Sequence, residues 1–502
     1  MTYVGSGARL GISRNGQKHA EIVDENVTEE GLQALLFLNE WYCQARHQGR
    51  IMVMERTFNH LGEREVHALT KRDIYDRHEA DMIQVRHVTS NGETWKTTPI
   101  AKYWFKWPHK NTKLGTMFTP LPLSAEQGEL FFNLYPGFSR EPIKGDCRLI
   151  KAHLRQVWCG GNDCHYKYLI TWFAHMLQRP WEKPGVALVV KGGKGTGKST
   201  VFEAIFQKIL GRLYTKIAHR ENLSGRFNYH HLEKLLLVIE EAFFHADHQA
   251  EAVIKSMITE RMMLVEPKGV DPYEAETFYR LAFVSNDDHV VPASLDERRF
   301  FCLRVSSAKV GNREYFHALN AEIQNGGLEA FMDFLMHWEV DIDLLRTPPM
   351  TETMFEEIMG SFSVFEKWAY HLLHIDEDHS VVKWGQSVPT ADLFEHFKQW
   401  RDELEDLKIR TSANRIDGQI AFTNEIGGLF GFPRKKVKNR WCFILPTREQ
   451  ARRLFQAKVN ATVKWYDLEE DEEAFFGEEA GKESSCETKE DPLEGFWDDE
   501  RD

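Results

Sequence analysis

The alternation of apolar and polar positions divides the chain into a few readable stretches. LQALLFLNEWYCQARHQG, residues 32–49, is spaced as an amphipathic helix, and IMVMERTF, residues 51–58, alternates as a strand. Between Cys147 and Gln178 the spacing is again helical, notably in YLITWFAHMLQ, and it stops at the two prolines of RPWEKPG. VALVVKGG follows, a continuous apolar run opening into glycine, which predicts a buried strand entering a loop. The helical VFEAIFQKIL and two more apolar runs, LLLVIEEA at 235–242 and YRLAFVSNDD at 279–288, continue the alternation to about Val305. Strands alternating with helices predict an α/β core with a parallel sheet. A helical stretch covers about 313–338, and LLRTPPMTE reads as a linker. Beyond it, helices are expected at 365–374, 391–404 and 421–430, then the basic turn PRKKVKNR and the strand WCFIL. Three helices followed by a basic hairpin predict a winged-helix-like domain. No internal repeat is visible.

These stretches define an N-terminal accessory α/β region at 1–122 and an ATPase-like domain at 123–345, with a helical lead-in at 123–184. A winged-helix-like domain at 354–466 and an acidic tail at 467–502 complete the division. At 502 residues the chain exceeds one hydrophobic core. The net charge of −13 is unevenly placed: residues 467–502 carry 17 acidic and 3 basic groups, so the rest of the chain stands at +1. The overall acidity therefore does not exclude nucleic-acid binding by the body, and the tail's composition is that of a segment without a fold of its own. No apolar run is long enough to cross a membrane, and residues 1–25 lack a signal-peptide core, so a cytoplasmic location is expected. The seven cysteines form no C-x-x-C pair. Cys159 and Cys164, with His153 and His165 nearby, flank GGND, which reads better as a turn than as a zinc site. The segment KTTPIAKYWFKWPHKNTK mixes cations with aromatics. That mixture suits both single-stranded nucleic acid and an ordinary snorkelling surface.

The chemistry concentrates in GGKGTGKST, which fits the phosphate-loop pattern with Gly192, Gly197, Lys198 and Ser199 in the fixed places. Gly192, Gly193, Lys194, Gly195, Thr196, Gly197, Lys198, Ser199 and Thr200 are the candidate ATP-binding residues. Glycines let successive N–H groups face phosphates, Lys198 reaches the terminal phosphates, and Ser199 is a Mg²⁺ ligand. Glu240 and Glu241 end an apolar strand, where Glu240 serves Mg²⁺ and Glu241 polarises the attacking water. Asn286 ends the next apolar strand and offers an uncharged amide to the terminal phosphate or to water. Arg298 and Arg299 in DERRF are candidates for an arginine finger reaching a neighbouring subunit.

With 42 positions between Lys198 and Glu240 and 46 between Glu240 and Asn286, this constellation resembles superfamily 3 helicases, a branch of the AAA+ ATPases. Residues 121–340 resemble the helicase part of phage, mobile-element and poxvirus-type primase-helicases. The strings that carry the resemblance are WFAHMLQRPWEKPGVALVVKGGKGTGK, LSGRFNYHH, ITERMMLVEPKGVDPYE and FVSNDDHVVPASLDERRFF. The resemblance implies an AAA+-like fold, a hexameric ring around DNA, ATP and Mg²⁺ as cofactors, and a bacterial or phage-infected host. It also implies a hairpin in the pore, here MMLVEPKGVDPYE with Lys268 at its tip, and Lys255 on the preceding helix as a further DNA contact. Two departures stand out. The carboxylate pair is Glu-Glu where many ATPases have Asp first, and the primase-polymerase domain that often precedes the helicase is missing its residues. VDIDLL at 340–345 has the look of one primase element but follows the ATPase without ordered partners, so no primase activity is expected and a separate primase or polymerase becomes a candidate partner.

The resulting expectation is an ATP-dependent replicative DNA helicase, with Arg434, Lys435, Lys436, Lys438 and Arg440 of the basic hairpin as further DNA contacts. Two other functions stay open: a DNA-stimulated ATPase that remodels an origin or loads a partner, and a DNA-binding adaptor whose assembly ATP switches.

Overall fold

The computed structural model describes residues 22–90, 92–218, 231–240, 248–265, 273–286, 298–374, 382–406, 418–459 and 465. The chain forms two compact units, Met1–Val290 with Phe301–Pro348, and Val291–Phe300 with Pro349–Asp502.

The first unit opens with the helix Glu29–Trp41, whose N-cap Thr28 accepts a hydrogen bond from the Gly31 N–H. Leu32, Leu35 and Leu38 face inward and share a core with Ile74, Ile83, Ile100 and Trp104. The helix ends eight residues sooner than the apolar spacing of 32–49 predicts. Tyr42–His47 is a strand, paired antiparallel with Arg50–Phe58, which pairs in turn with Arg64–Leu69. Gln48 and Gly49 form the turn between the first two strands, both with positive φ (48° and 77°), the arrangement that matches strand twist in a two-residue hairpin. A separate hairpin joins Met82–Thr89 to Gly92–Pro99. The N-terminal strands abut the rest of the unit through Arg212, which donates to the Val66 carbonyl at 3.0 Å and pairs with Glu233.

The centre of this unit is a five-stranded sheet in the order Phe300–Arg304, Ala187–Lys191, Arg280–Ser285, Leu236–Glu240, Tyr214–Ile217. The last four strands pair in parallel. Ala187–Lys191 and Arg280–Ser285 are buried at every position, as parallel strands covered on both faces require. The helix Asp163–Gln178 supplies much of that cover, burying Tyr168 through Leu177 in succession. Gly160 and Gly161, both left-handed, make the turn that precedes it. The helical stretch expected at 313–338 is two helices, Arg313–Glu322 and Leu328–His337, separated at Asn325 and Gly326 where the backbone leaves helical geometry. Asp341 caps the short helix Ile342–Arg346, a helix-end role for the first acid of VDIDLL.

Arg280, at the start of its strand, is fully buried and donates to the carbonyls of Arg179 at 2.9 Å and Glu182 at 2.6 Å. Burial pushes its pKa down to about 9, so those carbonyls are what keep an ion in the core.

The second unit contains helices Val364–His374, Thr390–Asp406 and Gln419–Phe430, close to the three expected. Phe365, Trp368, Phe397 and Phe422 pack their rings together between them. A three-stranded antiparallel sheet runs in the order Ser387–Pro389, Arg440–Ile444, Arg434–Val437. Its exposed hairpin turns at Lys438 and Asn439, both left-handed. Residues 467–502, the acidic tail, lie outside the described residues.

Candidate nucleotide site

The strand Ala187–Lys191 runs into a loop whose glycines are needed where they stand. Gly192 has φ 154° and a Cβ there would meet the Val305 carbonyl at 3.1 Å. Gly197 has φ 95°, and a Cβ there would lie 2.6 Å from the His153 ring. Thr196 closes the loop by donating to the Gly193 carbonyl at 3.0 Å. The helix that follows starts at Lys198, so its free N–H groups and dipole face the loop's concave side.

Lys198 is buried, and its ammonium donates to the carbonyls of Gly192 and of Gly193 (2.9 Å), and to Oδ1 of Asn286 at 3.0 Å. Burial lowers its pKa from the ordinary lysine value. The strand Arg280–Ser285 delivers Asn286 to this point because it pairs directly with Ala187–Lys191, Ser285 opposite Lys191. Leu236–Glu240 lies one strand further, Glu240 opposite Val284, so Glu240 opens onto the same cleft. That cleft has a volume of about 540 Å³ and is walled by Lys194–Thr200, Glu240, Val284–Asn286, Phe316 and Asn320. Its size and its chemistry, with backbone N–H groups, an ammonium and a carboxylate on its walls, suit a polyphosphate.

Four contributors carry no motif in the sequence. Lys216, on the neighbouring strand Tyr214–Ile217, reaches Oε1 of both Glu203 and Glu240 at 2.7 Å. Desolvation lowers its pKa, but the two carboxylates outweigh it and the net direction is upward. His153 lies beneath the loop, with Nδ1 2.9 Å from the Tyr315 hydroxyl. Burial lowers its pKa to about 4. The Gly197 backbone opposes that shift, in a geometry short of a full hydrogen bond at Nε2. Phe316 and Asn320, on the helix Arg313–Glu322, line the cleft as well.

The structure thus brings Lys198, Ser199, Glu240 and Asn286 to one cleft. Ser199 and Glu240 offer a hydroxyl and a carboxylate oxygen there, the hard donors that Mg²⁺ takes, so the residues present fit that ion. Glu241 and Lys268 lie outside the described residues. The arms of the Lys268 hairpin are present as the antiparallel pair Met262–Val265 and Tyr273–Glu276. Lys255 sits on the helix His248–Thr259, and Arg298 and Arg299 occupy the turn before Phe300–Arg304. In the second unit, Arg434, Lys435, Lys436, Lys438 and Arg440 are all exposed on the hairpin beside the exposed Trp441. Arg434 lies 5.0 Å over that indole ring.

Residues 190–299 match the model of a family of unknown function, DUF5906. No curated protein matches the chain. The fold is shared with the NrS-1 C-terminal region. The apo structure of its residues 305–718 superimposes with a TM-score of 0.59 at 17% identity, over 83% of this chain and 98% of that one. The A form of the same region gives 0.59 over the same shares. A JCV helicase structure with a bound small molecule reaches only 0.26 at 14% identity, over 53% of this chain and 62% of that one.

Proposed function

We propose that this protein is a Mg²⁺-dependent ATPase that drives movement on DNA, a helicase of the superfamily 3 type. The observation that carries the reading is the meeting of Lys198 and Asn286 at 3.0 Å, in a cleft also walled by the Glu240 carboxylate. The ammonium of Lys198 now rests on two loop carbonyls and an amide oxygen, the places that phosphate oxygens would occupy. Phosphate binding exchanges those neutral acceptors for anionic ones, a stronger partner for a half-desolvated cation. Ser199 and Glu240 would hold Mg²⁺, which would supply charge neutralisation at the terminal phosphates. Glu241 would accept a proton from the attacking water, and Asn286 would orient that water or the leaving phosphate. Arg298 or Arg299 would act on a neighbour's ATP in a ring, stabilising the charge that develops on the transferred phosphate.

DNA would be held at two places. Lys268 and Lys255 would face the ring's pore, and the hairpin Arg434, Lys435, Lys436, Lys438 and Arg440 would act as the wing of a winged-helix domain. The order helix, strand, two helices, hairpin in the second unit supports that assignment. A hexameric ring, a separate primase or polymerase partner and a phage or mobile-element setting complete the proposal.

The test is strand displacement on a forked duplex with ATP and Mg²⁺, beside Lys198→Ala. Unwinding that disappears in the variant is expected. DNA-stimulated hydrolysis without unwinding would replace the helicase by a remodelling ATPase.

A further inference from the structure

The order of the sheet assigns the two ends of the cleft different tasks. The loop strand Ala187–Lys191 has the strands of Asn286 and Glu240 on one side and Phe300–Arg304 on the other. A polyphosphate whose terminal group meets Lys198, Asn286 and Glu240 sends its other end toward the Phe300–Arg304 side. The chain leaving that strand leads into the helix Arg313–Glu322, which contributes Phe316 and Asn320 to the cleft wall. Four positions apart, these two residues share one face of the helix, one turn from each other.

Their states differ in a useful way. The Phe316 ring is held in place. Its edge lies 3.1 Å from the position of a Cβ on Gly197, and it meets the His153 ring edge to face at 6.1 Å and 70°. Asn320 is exposed, and its side-chain amide makes no hydrogen bond among the described residues. We propose that Phe316 and Asn320 are the nucleobase subsite of this cleft, Phe316 by stacking and Asn320 by selecting adenine over guanine. The proposal rests on the nucleotide-site reading above.

The chemistry follows from the edges of the bases. An asparagine amide presents one acceptor and two donors. Adenine offers the complement on its N6 and N7 edge, a donor beside an acceptor, whereas guanine offers two acceptors there. The amide oxygen of Asn320 would then face the guanine O6, and one bond of the pair would be replaced by repulsion. Stacking on Phe316 does not distinguish the two, since every base has a π face. Affinity for the base and choice of the base therefore belong to different residues, which makes them separable.

The experiment is calorimetric titration of the full chain with ADP, GDP and inorganic tripolyphosphate, each with Mg²⁺. The wild type should bind ADP about tenfold more tightly than GDP. Asn320→Ala should bring that ratio close to one and leave tripolyphosphate binding as it was. Phe316→Ala should weaken ADP and GDP together by about tenfold, with tripolyphosphate unchanged, and Phe316→Trp should restore them. A preference that survives Asn320→Ala, or equal binding of ADP and GDP by the wild type, would overturn the subsite. So would a loss of all three ligands in Phe316→Ala, which would make Phe316 a support of the loop. A wild type that binds no tripolyphosphate and no ADP would overturn the phosphate-site reading itself.

Discussion

At the scale of single residues, the loop was legible because its chemistry is local. Nine consecutive residues place glycines, a lysine and a hydroxyl at fixed offsets, and no tertiary information is needed to read them. His153 was not legible. It supports Gly197 from 44 positions away, and nothing in its own neighbourhood marks it. Its burial has a measurable consequence. Unfolded, the ring takes a proton below about 6.5; folded, only below about 4. Its contribution is therefore complete above pH 6.5 and is lost as pH falls toward 4. At pH 5.5 the loss is on the order of 1 kcal/mol. Guanidinium unfolding of the wild type at pH 7.5 and 5.5 should show it, and His153→Gln should narrow the difference by that amount. Equal differences in the two proteins would mean that His153 is charged in the fold.

At the scale of elements, apolar spacing found the three central strands of the sheet, because buried parallel strands write their burial directly into the sequence, but not the two edge strands Tyr214–Ile217 and Phe300–Arg304. It failed after Trp41, where helical spacing continues but Tyr42–His47 pairs with Arg50–Phe58 instead. Strand pairing is a tertiary fact, and it overrode the local preference. The same limit hid Lys216, whose partners Glu203 and Glu240 come from a helix and from the adjacent strand. Because it bonds one oxygen of Glu240, it fixes that carboxylate while leaving the other oxygen for the proposed Mg²⁺. Lys216→Met should raise the Mg²⁺ concentration needed for half-maximal nucleotide binding about tenfold, with Lys216→Arg restoring it. An unchanged Mg²⁺ requirement would remove this role. On the basic hairpin, replacing Lys435, Lys436 and Lys438 by Gln should weaken duplex binding. If all three meet phosphates, the slope of log affinity against log salt should fall by about 3. A slope that does not move would place the DNA contacts elsewhere.

At the scale of the whole molecule, the shared fold with the NrS-1 C-terminal region extends over nearly all of that chain, so the likeness is not confined to the phosphate loop. The sequence could point to the core of this arrangement because its motifs lie within the sheet. It said less about residues 22–122, whose strands and hairpin are set by packing against one another and, through Arg212, against the rest of the first unit. The central claim is that this fold hydrolyses ATP at the cleft between Lys198 and Glu240, in service of work on DNA. The most direct measurement is phosphate release from ATP by the full chain with Mg²⁺, with and without single-stranded DNA, for the wild type and Lys198→Ala. The account predicts hydrolysis that DNA stimulates and that falls at least a hundredfold in the variant, on the order of an effect lost with one transition-state contact. Hydrolysis of the same rate in both proteins would contradict it.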